Sequence, residues 1–355
     1  MPRSRWLVLL AALPCLVFPQ AREEAVRKAL ADYIASNTVV GASVAIVKPD
    51  GTQFAAGAGF QDRESSAAAT DKTIYRLGSI SKPVTTIAAL KLVEEGKLSL
   101  FTRVRTYVPE LPEAYAPVTL RHLLTHTSGV RHYIAAKRDV FYKRFTVSES
   151  VGVFKDDPLI FPTGERVSYS THAFSLVARL VEVASGQEFG AYVRANVATP
   201  SGSPTLALED RSATNPHRSK LYTIQARAQS ALVTQEEDIS WKSGGGGMES
   251  SAPDLARFGL AAMTGKLLGK QLTDFMFQKQ TVDGLATGGG LTWSFGPHGQ
   301  PEHGGAQQGC RTLMVLDREH GTVYVVMTNT GGNHPVGQLM AAVMTAWGER
   351  KIQSP

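Results

Sequence analysis

A serine and a lysine three residues apart hold the first chemistry in the chain: Ser79 and Lys82, within Arg76-Leu77-Gly78-Ser79-Ile80-Ser81-Lys82-Pro83. The stretch reads as the end of an extended segment, a glycine, then the first turn of a helix, so both side chains fall on one helix face. A serine hydroxyl is a poor nucleophile until a neighbour takes its proton. A lysine can do so only with a lowered pKa, and burial beside the positive end of a helix works in that direction. The pair alone carries little weight, because average composition gives roughly one Ser-x-x-Lys in a chain of this length. Its plain alternative is an N-cap serine beside a solvated lysine.

Acyl transfer also needs a proton shuttle, an oxyanion hole and a group that orients the substrate. Val167-Ser168-Tyr169-Ser170-Thr171-His172 opens a helix, and a tyrosine whose pKa is lowered beside a lysine can serve as general base. The alternative is a core aromatic with a satisfied hydroxyl. Pro301-Glu302-His303-Gly304-Gly305-Ala306 stands immediately before a strand. Its glycines would let the backbone pass close to a ligand, with the Ala306 N–H facing an oxyanion; a plain Gly-rich turn is the alternative.

Other chemistries find no support. There is no Gly-x-Ser-x-Gly elbow, no His-Glu-x-x-His and no paired cysteines, so neither a metal nor a cofactor is expected. The 244–247 glycine run lacks a following Lys-Ser or Lys-Thr and reads as a flexible wall of a cleft. His126 and His132 read as structural or solvated. His172 points elsewhere on its helix than Tyr169, and Cys310 is a packed thiol.

The elements that must position these groups lie at both ends of the chain. Apolar residues at helical spacing give a helix over 22–36. Runs 42–47 and 52–57 flank Lys48-Pro49-Asp50-Gly51, a hairpin signature. The helix opened by Ser79 runs to about Glu95, with Pro83 harmless in its first turn. From about 98 to 242 the strand signal nearly vanishes, leaving short helices at 120–124, 148–154 and 173–185. Beyond 243, Ser251-Ala252-Pro253-Asp254 starts a helix. Strand-like runs return at 291–295, 312–316 and 322–328, and a helix over 336–347 closes the chain. The expected fold class is α+β. One antiparallel sheet is built from both termini (22–97 and 243–355) and flanked by helices. An all-helical insertion over 98–242 faces it, with the active site in the cleft between the two.

With 355 residues, 43% apolar and 19% charged, the chain is ordinary for a globular protein with a real core. Residues 1–21 stand apart: Arg3 and Arg5 precede an apolar run from 6 to 18, then Pro19-Gln20-Ala21. That order is a secretory signal peptide, predicting export to a periplasmic or extracellular space. An uncleaved leader would be the only source of membrane attachment, and organelle targeting is the lesser alternative. Without the leader only Cys310 remains, so no internal disulfide can form, and the formal net charge falls from +6 to +4. No basic block marks a nucleic-acid partner; a small molecule or a peptide is the expected substrate.

Taken together, Ser-x-x-Lys, Tyr-Ser-x about 90 residues on, and His-x-Gly about 130 further resemble the serine beta-lactamase and penicillin-binding-protein superfamily. Order and spacing are similar to the class C beta-lactamase and esterase branch. Leu123-Leu124-Thr125-His126-Thr127-Ser128-Gly129, Phe154-Lys155-Asp156-Asp157-Pro158-Leu159 and Ser243-Gly244-Gly245-Gly246-Gly247-Met248 look most like the group containing the mitochondrial serine beta-lactamase-like protein and its bacterial relatives. The resemblance covers 26–347 and implies a beta-lactamase/transpeptidase-like fold. It implies Ser79 as the nucleophile, Lys82 sharing its proton, and Tyr169 activating Ser79 or water. It also implies Ser79 and Ala306 N–H groups as the oxyanion hole, with Thr171, His303, Gly304 and Gly305 along the substrate. Two departures stand out. Thr171 replaces an asparagine and offers one donor against two. His303 replaces a lysine and is only partly charged at neutral pH if unperturbed. Both favour an esterase or peptidase over an efficient beta-lactamase. The alternative reading is a binding or assembly protein with little turnover on the same scaffold.

Overall fold

The computed structural model describes residues 19–134, 139–224 and 230–348; the leader over 1–18 lies outside them. Its centre is a seven-stranded sheet. From the N-terminal side come β1 (Gly41–Val47), β2 (Gln53–Asp62) and β3 (Ala67–Ala68). From the C-terminal side come β4 (Ser294–Phe295), β5 (Pro301–Gln307), β6 (Cys310–Asp317) and β7 (Thr322–Thr328). The spatial order is β4-β5-β6-β7-β1-β2-β3, antiparallel throughout. The two ends of the chain meet where β1 pairs with β7, Val44 opposite Val326.

Both faces of this sheet are covered, which is why β1 and β7 read as unbroken apolar runs. Helices α1 (Pro19–Ser36) and α5 (Val336–Trp347) close one face: Val26 and Leu30, with Leu339 and Val343, pack on Val44, Ile46 and Val326. The alternate residues Ala45, Val47, Val323 and Val325 face the main core, which includes Leu255 and Phe258 of α4 (Ala252–Met263). Ser251 caps α4 by accepting the Asp254 N–H, as its sequence signature requires. At the edge of this core stand α2 (Ser81–Glu94) and α3 (His172–Ser185), both almost wholly buried along their length.

Two local expectations need correction. The 301–306 segment is not a turn before a strand: it is strand β5, with His303 opposite Met314 and Ala306 opposite Arg311. Two glycines hide it in the sequence, and ladder pairing with β6 overrides their low strand preference. The middle region is mainly helical but not wholly so. Ala207–Leu208, Tyr222–Thr223 and Leu232–Val233 form two-residue strands in small side sheets. Elements that short leave no periodic signal.

Candidate active site

The Ser79 turn is held against β5 by two glycines. Gly78 has φ +55°, and a Cβ there would come within 2.9 Å of the Ala306 nitrogen. A Cβ at Gly305 would lie 2.0 Å from the Leu77 carbonyl oxygen and 2.2 Å from Thr312 Oγ1. Thr312 Oγ1 also donates to that carbonyl at 2.8 Å. Only glycine permits backbone contact this close. The contact brings the Ser79 turn and the Ala306 N–H side by side, as an oxyanion hole requires. A short 3₁₀ turn, Gly78–Ile80, presents Ser79 half-buried at the cleft floor, and α2 follows at once.

Lys82 is fully buried one turn below. Its Nζ lies 3.2 Å from Ser79 Oγ, 3.0 Å from Thr171 Oγ1 and 2.6 Å from the Gly245 carbonyl oxygen. Burial, and secondarily the charge of Lys242, push its pKa well below the ordinary lysine value. All three contacts are to oxygen acceptors; a neutral amine here would give its two N–H groups to Gly245 and Thr171 and turn its lone pair to the Ser79 hydroxyl.

The glycine run that supplies this carbonyl is not a flexible wall. Ser243–Gly246 is a buried helical turn. A Cβ at Gly244 would lie 2.2 Å from the Phe174 carbonyl oxygen, and one at Gly245 would lie 2.6 Å from Thr171 Cγ2. The glycines serve close packing against α3, which aims two carbonyls at α2: Gly245 at Lys82 and Gly244 at Thr85 Oγ1, 2.7 Å away. Gly245 belongs to the site, and composition alone hid its role.

Tyr169 lies with its ring 4.6 Å from Lys82 Nζ and its hydroxyl hydrogen-bonded to Ser79. One ring edge is exposed to the cleft. The hydroxyl end is desolvated, which raises its pKa above that of free tyrosine. The expected lowering beside a lysine therefore does not occur: desolvation of the hydroxyl outweighs its hydrogen bond to Ser79. Tyr169 keeps its proton at neutral pH and acts as a donor. Thr171 is buried with its hydroxyl on Lys82, so it holds the amine instead of the cleft wall.

His303 is buried on β5, its Nδ1–H donating to the Gly304 carbonyl at 2.8 Å, which leaves Nε2 as an acceptor. Burial, with Lys82 nearby, lowers its pKa to about 3. It is uncharged at neutral pH, a stronger departure from a fixed cation than its residue type alone implied. His126 and His132 are structural, as expected, but they stand inside the site. Their Nδ1 atoms accept the backbone N–H groups of Ser170 (3.2 Å) and Thr171 (3.1 Å), clamping the tyrosine motif. Burial lowers both pKa values, that of His132 to about 4. The His126 ring also packs against Tyr169 at a tilt of 40°, ring centroids 4.5 Å apart. Nothing in their spacing marked this; only the fold brings 126–132 to 169–171. His172 turns away to Arg131 and Phe154, and Cys310 is a buried thiol whose pKa is pushed up to about 12.

These groups line one cleft of about 770 Å³, bounded by Ser79, Tyr169, His126, His303, Ala306 and Trp293. Among the described residues lining it, none is a carboxylate, and Arg311 is the only fixed charge.

Fold and constellation define a serine hydrolase of the beta-lactamase fold. The family model described as Beta-lactamase matches residues 26–346, and the chain belongs to that family. It is 28% identical to esterase EstB of Burkholderia gladioli, over 87% of this chain and 90% of that protein. It is also 28% identical to the human mitochondrial serine beta-lactamase-like protein LACTB, over 66% of this chain but about half (54%) of that protein's length. Among solved structures, the D-amino acid amidase of Ochrobactrum anthropi SV3 superposes with a TM-score of 0.80 at 20% identity, covering 92% of this chain and 98% of that one. That likeness establishes the fold.

Proposed function

We propose that this serine hydrolase cleaves uncharged ester or amide bonds through an acyl-enzyme on Ser79, with esterase or amidase activity exceeding beta-lactam turnover. The observation that carries the reading is the bonding of Lys82: both N–H groups are occupied and its third direction lies 3.2 Å from Ser79 Oγ.

In acylation, Ser79 Oγ bonds to the substrate carbonyl carbon as its proton passes to Lys82 Nζ. The carbonyl oxygen becomes an oxyanion facing the N–H groups of Ser79 and Ala306. As the tetrahedral species collapses, Tyr169 gives its proton to the departing alkoxide or amine and recovers one from Lys82. In deacylation a water runs the same transfers in reverse, its proton leaving through Tyr169 and Lys82 and one returning to Ser79 Oγ. General acid–base steps of this kind contribute about 10²–10⁴-fold.

The neutral His303 supplies no fixed cation for the carboxylate of a beta-lactam, and a lining without carboxylates, with Arg311 as its one fixed charge, disfavours a cationic acyl portion. The esterase named above is consistent with an ester substrate. A panel of p-nitrophenyl esters, D-Ala peptides and nitrocefin tests it: ester or amide turnover above that of nitrocefin supports the reading, and nitrocefin as the best substrate sinks it. The arginine-led apolar leader supports export, which N-terminal sequencing of secreted material tests; protein retained in the cytoplasm with residues 1–21 intact opposes it.

A further inference from the structure

Tyr169 meets Ser79 from a segment with no regular structure of its own. Residues 166–170 belong to no helix or strand, and 42% of Tyr169 is exposed. What holds the segment is the 126–132 loop. It accepts the N–H groups of Ser168, Ser170 and Thr171, and the Arg131 carbonyl takes the Ser170 hydroxyl at 2.8 Å.

One residue of that loop grips both sides of the tyrosine. The His126 carbonyl accepts the Ser168 N–H at 2.8 Å, and His126 Nδ1 accepts the Ser170 N–H at 3.2 Å. Its ring meets the Tyr169 ring between these bonds, and Phe174 of α3 at a centroid distance of 5.4 Å. The grip carries two unfavourable features. His126 has φ +59°, a left-handed backbone uncommon outside glycine. Because Nδ1 accepts, the ring proton stands on Nε2, which is buried without a hydrogen-bond partner among the described residues. Backbone strain and an unpaired buried donor both oppose folding, and such strain clusters at functional sites. What they secure here is the position of one tyrosine.

We propose that His126 is a positioning residue for the reaction: it sets the Tyr169 hydroxyl against Ser79, where the phenol can give its proton to the leaving group. This rests on the acyl-enzyme reading above. The hold has three points: the carbonyl on the residue before Tyr169, Nδ1 on the residue after it, and the ring on the side chain between them. The hydrogen bonds of Lys82 go to Ser79, Thr171 and Gly245, so His126 acts through Tyr169 and not on the base.

The test compares two esters of one acid, ethyl butyrate and p-nitrophenyl butyrate, with the full-length protein. Both give the same acyl-enzyme, so their kcat/KM values differ only through acylation. Ethoxide must receive a proton to depart, whereas p-nitrophenolate leaves without one, so the ethyl ester alone draws on Tyr169 as an acid. H126A should lower kcat/KM for ethyl butyrate by about tenfold to about 10²-fold, the scale of a group displaced by up to about 1 Å, and largely spare p-nitrophenyl butyrate. H126N keeps an acceptor at the Nδ1 position and takes a left-handed backbone readily, so it should recover most of the loss. In a Y169F background H126A should slow ethyl butyrate no further, because the proton it positions is gone. The ratio of the two esters does not depend on how much of a variant folds. Equal losses on both esters, or an H126A loss undiminished in Y169F, would reduce His126 to a support of the cleft wall and overturn the proposal alone. Turnover that survives in S79A would overturn the acyl-enzyme reading itself, and the role of His126 with it.

Discussion

Lys82 Nζ and the Gly245 carbonyl oxygen lie 2.6 Å apart, joining helix α2 to a turn 163 residues further along the chain. That bond fixes which way the amine faces. With Thr171 taking a second N–H, the third direction of the lysine nitrogen points at Ser79 Oγ, 3.2 Å away.

Removing the base or the donor should be costly and distinguishable. Lys82→Ala and Tyr169→Phe should each lower the acylation rate by about 10²-fold or more. Since Tyr169 is protonated at neutral pH, Tyr169→Phe should lower the plateau without moving the acid limb of the pH profile. A displaced acid limb in Tyr169→Phe would make the phenol, not the amine, the titrating base.

The hydroxyl of Thr171 should matter as an acceptor. Thr171→Ala removes one hydrogen bond from the Lys82 amine, worth about 1 kcal/mol, and should slow acylation up to about tenfold. Thr171→Ser keeps the hydroxyl and should stay near wild type. Equal rates for the two variants would show that the methyl packing on Gly245, not the hydrogen bond, is what counts.

Gly245 should tolerate no side chain. A methyl there meets Thr171 Cγ2 at 2.6 Å and the Thr171 carbonyl oxygen at 2.7 Å, both in a packed interior. Gly245→Ala should therefore lose about 2 kcal/mol in urea unfolding, the scale of overpacking a core. Wild-type stability would mean the turn can move away from α3, contrary to its role in aiming Lys82.

The histidines of the cleft set a direction for acid stability. Folded pKa values of about 3 for His303 and about 4 for His132 lie below the unfolded value of about 6.5. Above about pH 6.5 both states keep these rings neutral. As the pH falls below that, the unfolded chain takes up protons that the folded site refuses, so stability declines until the folded pKa values are passed. His303→Gln should show a shallower loss of urea-unfolding free energy between about pH 7 and about pH 5 than the wild type. An equal or steeper loss would mean His303 is not held neutral.

Much of the frame was legible because it rests on local pattern. Periodicity marked α5 to its ends at Val336 and Trp347, and the serine–proline signature marked the start of α4. The hairpin linking β6 and β7 followed from two apolar runs about a short polar loop. Ser79, Lys82, Tyr169 and His303 were legible as an ordered set, and the fold brings them into one cluster. What stayed hidden depends on contacts far apart in sequence. Strand β5 is masked by its glycines, of which Gly305 is required by the approach of Leu77, a need invisible without the fold. The glycine turn suggested flexibility, because glycine serves looseness and close packing alike. The state of Tyr169 stayed hidden because the burial that raises its pKa comes from packing partners far apart in sequence.

The central claim is a covalent one, and intact-protein mass after exposure to a fluorophosphonate tests it most directly. The account predicts a single adduct, mapped to the peptide carrying Ser79, absent in Ser79→Ala and slow to form in Lys82→Ala. A wild-type protein that stays unmodified by every acylating probe, or an adduct that survives in Ser79→Ala, would contradict it.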